Sequence, residues 1–375
     1  MSHVSFPALG IEFTINRVAF SIGGFDVYWY GILLALSLAL GLSLVMSKSK
    51  ELGLDQDQIL DVTLVSAVCA ILNGRIFYIL FDPDFTVSSI KEFFNLRGGG
   101  IAFYGVLLGG LAAAFVVCKI EKIRFRCLLD GVSLAMLFGQ GLGRWGNFMN
   151  QETVGTNTDL PWGMYSDTIA KYIERNAEHL YEAHGIVLTD GPVHPCFLYE
   201  SIWCFIGLFV MLHVLKKKRF DGEMFLKYLI WNGIGRGVIE NFRTDALFLG
   251  NIRMSQFVCV SLAVIGAVIL FITNRKIKAH NDPEYLKPYA QTEQFEADMA
   301  ALKEKREAKK NKKNKNDISS ESEAPVSEIS TEEMESKEPS DSNVPEGESP
   351  EEPEETTKPE NPEFPDAVDE NSSEK

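Results

Sequence analysis

Seven stretches of mostly apolar residues, each close to the length that crosses a hydrocarbon core of about 30 Å, constrain this chain more than any other feature. They run over residues 26–47, 58–81, 100–119, 127–148, 195–215, 222–241 and 255–274, and the fourth and sixth are the least apolar. The expected fold is an all-α polytopic membrane protein of about seven transmembrane helices.

Charge sets the orientation once it is divided along the chain. Residues 1–280 carry 24 Lys+Arg against 23 Asp+Glu and the remainder 12 against 28, so the net charge of −15 belongs to the C-terminal end. Two short loops are basic: Lys119, Lys122, Arg124 and Arg126 follow the third block, and Lys216 to Arg219 follow the fifth. The positive-inside rule makes these loops cytoplasmic, which puts the N-terminus outside, the 149–194 loop outside and the C-terminus inside, beside Arg275, Lys276 and Lys278. No Lys/Arg-rich start leads at once into an apolar run with a small-residue cleavage site, so the first span is expected to remain.

This gives a seven-span membrane domain over 1–280. Its 149–194 loop is long enough for an external subdomain, and Ile169 to Tyr181 places Tyr172, Ile173 and Leu180 at helical spacing. A basic helical juxtamembrane segment is expected over 281–316, concentrated in Ala300 to Asn316, either resting on anionic lipid or solvated. The Glu/Ser/Pro-rich stretch 317–375 has too few large apolar residues to form a core and is expected to be disordered.

Cys69, Cys118, Cys127, Cys196, Cys204 and Cys259 lie in or beside apolar blocks with no C-x-x-C spacing, which argues for small hydrophobes and against metal or disulfide roles. Ionisable residues inside the blocks are more informative, because charges in a bilayer are costly and face cavities or partners. They are Arg75, Asp130, Arg144, Glu200, Lys227, Arg236 and Glu240. Asp130 and Lys227 fall near the inner surface, where anchoring or packing salt bridges explain them. With the orientation above, Arg75, Arg144, Asn147, Glu200, Arg236 and Glu240 fall toward the outer leaflet, together with Tyr78 and Tyr104.

Arg236, Glu240 and Arg243 stand at i, i+4 and i+7, the spacing of one helical face. An arginine fork that stays charged and grips two phosphate oxygens suits an anionic lipid headgroup. The G-x-x-x-G pairs Gly105/Gly109 and Gly139/Gly143 suggest close helix packing. A secondary transporter or binding protein for an anionic solute is the alternative, but no half-to-half repeat is present and the charges lie toward one leaflet instead of the midplane. A structural scaffold would not need an Arg/Glu stripe.

Gly143 to Gly155 reads GRWGNFMNQETVG, which resembles the G-R-x-G-N-F-x-N-x-E-x-x-G segment of prolipoprotein diacylglyceryl transferases at every fixed position. Further segments occur in that family's order: W-Y-G at Trp29 to Gly31, G-R-I at Gly74 to Ile76, H-P-x-x-L-Y-E at His194 to Glu200, and R-x-x-x-E-x-x-R at Arg236 to Arg243. Together they cover residues 28–245 and leave the acidic tail outside.

The resemblance implies that Arg144 and Arg236 are phosphate-binding and catalytic, with Asn147, Glu152, Tyr30, Glu240 and Arg243 around the same phosphatidylglycerol site. It implies a multi-pass enzyme of the bacterial plasma membrane whose partners are phosphatidylglycerol, other membrane lipids and prolipoprotein signal peptides bearing a lipobox cysteine, with no nucleic acid. The cysteine sulfur attacks C3 of the diacylglycerol moiety, glycerol phosphate leaves, and no cofactor or metal is called for. One departure matters. Where many members carry histidine in an H-G-G-L segment, this chain reads Tyr104-Gly105-Val106-Leu107, so Tyr104 becomes the candidate there, with Glu152, Glu240 and His194 as rival bases.

Overall fold

The computed structural model describes residues 2–81, 93–94, 100–246, 248–250, 252–280, 282 and 284–321. One compact unit runs to Lys313 and a second from Asn314 to Lys375, of which only the helical stretch to Glu321 is described. From residue 322 on, the segment expected to be disordered lies outside the described residues.

Each apolar block coincides with a helix: α1 (Trp29–Ser47), α3 (Gln56–Phe81), α4 (Phe103–Ile120), α5 (Phe125–Asn150), α7 (Cys196–Leu215), α8 (Glu223–Ile239) and α9 (Met254–His280). The short α2 (Ser49–Leu52) joins α1 to α3. By length and composition α1, α3, α7 and α9 can cross a membrane, and α4 is a shorter apolar helix. The outside of the bundle is the argument for lipid as its solvent: α9 buries only Gly266, yet exposes Phe257, Val264 and Phe271 by more than half. A soluble helix turns such a row inward. The chain is mostly helical and a membrane protein.

Helices α5 and α8 are less apolar because they carry Asp130, Gln140, Arg144 and Asn147, and Lys227, Asn232 and Arg236. α5 is central, packing on α1, α7 and α8, while α3 pairs with α4 and α8 with α9. The two small-residue pairs behave differently. A Cβ at Gly105 would lie 2.6 Å from the Asn73 carbonyl oxygen and one at Gly109 2.4 Å from Asn73 Cβ, so these glycines let α3 and α4 touch. At Gly139 and Gly143 a Cβ would meet nothing within 4 Å, so the packing reading of that pair fails.

The all-α expectation also needs correction, because short antiparallel strands surround one end of the bundle. β1 (Ser2–Phe6) sits between β2 (Ile11–Ile15) and β5 (Tyr165–Ser166), and β3 (Val18–Ile22) forms a hairpin with β4 (Phe25–Tyr28) that runs straight into α1. Helix α6 (Asp167–His184) opens with the Ser166 hydroxyl accepting from Ile169 N–H at 3.2 Å and closes on Gly185 in the left-handed region. Val4, Ile169, Ile173, Leu180 and Val193 pack with Phe148 and Phe197, so the 149–194 loop and the N-terminal strands share a core at the ends of α5 and α7.

At the other end of α5 the C-terminal segment folds back. Tyr289 and Phe295 are buried among Leu52, Leu54, Ile59 and Cys127. Asp221 accepts from Tyr289 N–H at 3.2 Å, the Arg124 guanidinium lies 3.9 Å over the Tyr289 ring, and Arg306 on α10 (Glu293–Glu321) pairs with Asp55 and, at 3.0 Å, with Asp57. Burial works against the Asp55 carboxylate, but Arg306 and the Gln58 and Asp57 N–H groups outweigh it and hold its pKa below the usual carboxylate value. The start of the basic segment thus docks on protein loops, an arrangement absent from the choice between lipid-bound and solvated helix.

Candidate active site

The site begins where α5 ends. Gln151 (φ +57°) and Thr153 (φ +64°) adopt left-handed backbone although neither is glycine, and the chain doubles back on the last helical turn. That reversal aims Glu152 at α5: its N–H donates to the Asn147 carbonyl at 2.9 Å, and its carboxylate accepts from the Asn147 and Asn150 side-chain amides, each at 3.0 Å. Arg144 Nη1 donates to Asn147 Oδ1 at 3.2 Å. A continuous polar relay therefore joins Arg144, Asn147 and Glu152.

The remaining glycines of the motif make room for partners. Tyr30, at the start of α1, puts its ring 2.8 Å from where a Gly146 Cβ would stand, and a Gly155 Cβ would lie 2.3 Å from the His194 carbonyl oxygen. Gly155 pairs as an antiparallel bridge with Arg243; Thr156 N–H donates to the Phe242 carbonyl at 2.7 Å and Thr244 N–H to that of Val154 at 3.1 Å. These bonds tie the segment after α5 to the segment after α8.

The Arg236–Arg243 stripe is not one helical face. α8 ends at Ile239, Glu240–Phe242 is a 3-10 turn, and Arg243 is extended (φ −86°, ψ 141°) because its backbone pairs with Gly155. The three side chains meet nonetheless, through a residue outside the stripe. Glu200, on the first turns of α7 and 6% exposed, sets Oε2 2.5 Å from Arg144 Nη2 and Oε1 2.9 Å from Arg243 Nη1 and 3.3 Å from Arg236 Nη1. Glu240 lies 2.9 Å from Arg236 Nη1, and Asp245 takes Arg243 in a two-point fork at 3.0 and 2.9 Å. Arg253 donates to the Glu240 and Arg243 backbone carbonyls and fixes the turn.

Three guanidinium groups thus face three carboxylates, of Glu200, Glu240 and Asp245. Arg144 and Arg236 keep about a fifth of their side chains exposed, and Arg236 engages a single nitrogen, Nη1, among the described residues. Such a cluster can accept an anion without first being assembled.

Sequence reasoning placed Arg144, Asn147, Glu152, Arg236, Glu240 and Arg243 together, and the bonds above connect them. Tyr30 reaches the same helix through Gly146. Tyr104 stands at the start of α4, the helix paired with α3, and its side chain is 60% exposed. His194 Nδ1 lies 3.1 Å from the Tyr199 hydroxyl, which accepts from Trp162 Nε1 at 2.7 Å, and burial lowers the imidazole pKa. The omission from the site is Glu200. Its signal was present, as an intramembrane charge and as the end of the H-P-x-x-L-Y-E segment; Asp245 and Arg253 carried none.

Fold and cluster together define a helical membrane protein whose charged residues converge where three central helices meet. The model of the prolipoprotein diacylglyceryl transferase family matches residues 17–272, and the chain belongs to that family. Among its relatives, a Clostridioides difficile protein is 36% identical over 272 residues, 72% of this chain and 100% of its own length. One from Finegoldia magna is 34% identical over 256 residues (68% and 94%), and one from Pediococcus pentosaceus 35% over 278 (72% and 95%). Each bears the name phosphatidylglycerol–prolipoprotein diacylglyceryl transferase. The membership sets aside the transporter and scaffold readings.

Proposed function

We propose that this chain transfers the diacylglyceryl group of phosphatidylglycerol to the lipobox cysteine of prolipoproteins, the first step of bacterial lipoprotein maturation. The observation that carries the reading at the site is the convergence of Arg144, Arg236 and Arg243 on Glu200, with two of the arginines still partly exposed. In this reaction the cysteine sulfur forms a bond to C3 of the glyceryl moiety, and the bond from C3 to the phosphate oxygen breaks. Glycerol phosphate leaves with the electron pair, and the thiol proton passes to a base or to solvent.

The phosphodiester carries one negative charge and the leaving monoester nearly two, so groups that bind the added charge lower the barrier. Arg144 and Arg236 take this role. The nucleophile is a thiolate whose ordinary pKa is about 8.5. Electrostatic activation by the arginines is the principal means of catalysis, with Tyr104 the candidate to orient the thiol or take its proton. Asn147, Glu152, Tyr30, Glu240 and Arg243 shape the phosphatidylglycerol site.

The placement proposed is the bacterial plasma membrane, with seven spans, the N-terminus and the 149–194 subdomain outside and the C-terminus cytoplasmic. Phosphatidylglycerol enters laterally from the bilayer, and the signal-peptide cysteine arrives at the outer level. Residues 1–280 form the catalytic membrane domain, 281–316 a juxtamembrane segment and 317–375 an acidic tail.

Purified protein in detergent, given phosphatidylglycerol and a lipobox peptide, should release glycerol phosphate and make the peptide heavier by one diacylglyceryl group. Failure of both readouts in folded protein refutes the activity. A cysteine at Asn157 should react with an impermeant reagent from outside; labelling only after the inner face is opened inverts the orientation.

A further inference from the structure

Three guanidinium groups cannot share a small volume unless negative charge lies between them, and Glu200 supplies it to all three. Its two carboxylate oxygens divide the work, Oε2 for Arg144 and Oε1 for Arg236 and Arg243. These arginines come from α5, from α8 and from the extended segment beyond it, so one side chain on α7 sets the register of three pieces of chain. Among the described residues the Glu240 carboxylate pairs with Arg236 and Arg243, and that of Asp245 with Arg243. Nor is Glu200 free to wander, being almost fully buried on a helix whose next residue, Ser201, is held between Trp145 Nε1 at 3.1 Å and the Gly141 carbonyl at 2.8 Å.

We propose that Glu200 is a positioning residue with two effects, holding the Arg144 and Arg236 forks at a phosphate's spacing and competing, as a resident anion, with the phosphate they bind. This rests on the transferase reading above. A carboxylate between two phosphate-binding arginines weakens the hold of those arginines on any anion, the phosphomonoester product included. That favours product release, since the doubly charged product would otherwise bind more tightly than the singly charged substrate. The arginine nitrogens not engaged by the described residues, among them Arg236 Nε and Nη2, remain to meet the incoming phosphate.

The test is steady-state transfer by the full-length protein in detergent, measured for wild type, Glu200→Gln and Glu200→Asp with glycerol phosphate as inhibitor. Glu200→Gln keeps the shape and removes the charge: KM for phosphatidylglycerol and the inhibition constant of glycerol phosphate should both fall by about tenfold, while kcat falls by roughly a hundredfold. Glu200→Asp keeps the charge and shortens the reach: kcat should fall with the inhibition constant nearly unchanged. A residue that merely supports the fold would raise KM and leave product inhibition alone. Unchanged or weaker inhibition in Glu200→Gln overturns the proposal. If that variant does not fold, wild-type kcat in Glu200→Asp overturns it instead. No transfer by folded wild-type protein refutes the transferase reading, whatever the Glu200 variants do.

Discussion

The two ends of α5 each hold charged residues, and the contrast between them separates structure from chemistry. Near its start, Asp130 is fully buried; it accepts from Gly222 N–H at 3.0 Å and Phe225 N–H at 3.1 Å, and pairs with Lys218 at 3.1 Å. Lys218 in turn reaches Asp221 at 3.3 Å; burial works against its charge, but the attraction of Asp130 and then Asp221 outweighs it and raises the pKa. Asp130 and Lys218 are enclosed, with 0% and 1% of their side chains exposed, and the Asp130 carboxylate caps the first turn of α8. Fourteen residues on, about 21 Å along the helix, Arg144 joins a cluster of three guanidinium groups and three carboxylates that is open, with arginine nitrogens not engaged by the described residues. Charges that are closed off hold the helices together. Charges left partly open at the junction of three helices are available to a ligand.

The largest expected effect sits at the open end. Arg144→Ala and Arg236→Ala should each lower turnover by about two to three decades, because a positioned charge on a developing anion is typically worth about 3–4 kcal/mol. Arg→Lys should lose nearly as much where a two-point grip matters. Melting temperatures in detergent should stay close to wild type, since both side chains remain partly exposed. Near-normal turnover in both variants would erase the distinction between the two ends. Tyr104→Phe, measured alongside, should lose less than either arginine variant; a selective collapse there would promote the tyrosine to a direct participant.

At the closed end the signs reverse. Lys218→Met leaves Asp130 buried without its counter-charge and should lower stability by about 3–5 kcal/mol, read as a fall in melting temperature, while turnover per folded molecule stays near wild type. Turnover lost with stability intact would mean that this lock, too, belongs to the chemistry.

A third and smaller effect concerns the docked C-terminal segment. Tyr289→Ser should lower the melting temperature by more than Arg306→Ala, because Tyr289 is buried while the Arg306 pair is partly solvated and screened by salt. The acid dependence follows from the lowered pKa of Asp55. A carboxylate depressed in the folded state stabilises above its unfolded value of about 3.9 and loses that contribution as pH falls through the folded value. Protease cleavage of the segment should therefore rise only in acid, below about pH 4. A rise near neutrality would assign the docking to other groups.

How much of this was legible in the sequence depends on the range of the interaction. The helices were, because a block of span length declares itself locally. So was the pairing of Arg236 with Glu240, four residues apart. The short strands were not: β5 has two residues and exists only because β1 lies beside it. The break after Ile239 was hidden for the same reason, since Arg243 is drawn out of the helix by Gly155, far away in sequence. Glu200 was visible as a charge but not as a hub, which only the meeting of three helices reveals. In the C-terminal segment the abundance of Lys and Glu masked Tyr289 and Phe295, the two side chains that anchor it.

The smallest expected effect sharpens the contrast from outside the bundle. Removal of 322–375 takes away a Glu/Ser/Pro-rich stretch with too few large apolar side chains to contribute a core, while leaving the docked residues from Tyr289 to Arg306 in place. The family match ends at residue 272, and the Clostridioides difficile relative is covered over its full length by 272 aligned residues, so the stretch is an addition to the shared enzyme. Turnover and melting temperature should therefore match the full chain within error, whereas truncation after His280, which also removes Tyr289 and Phe295, should lower the melting temperature. Equal losses from both truncations would move the boundary between enzyme and appendage beyond the docked helix. A loss of turnover from the shorter truncation in protein that inserts normally would make the acidic stretch part of the enzyme.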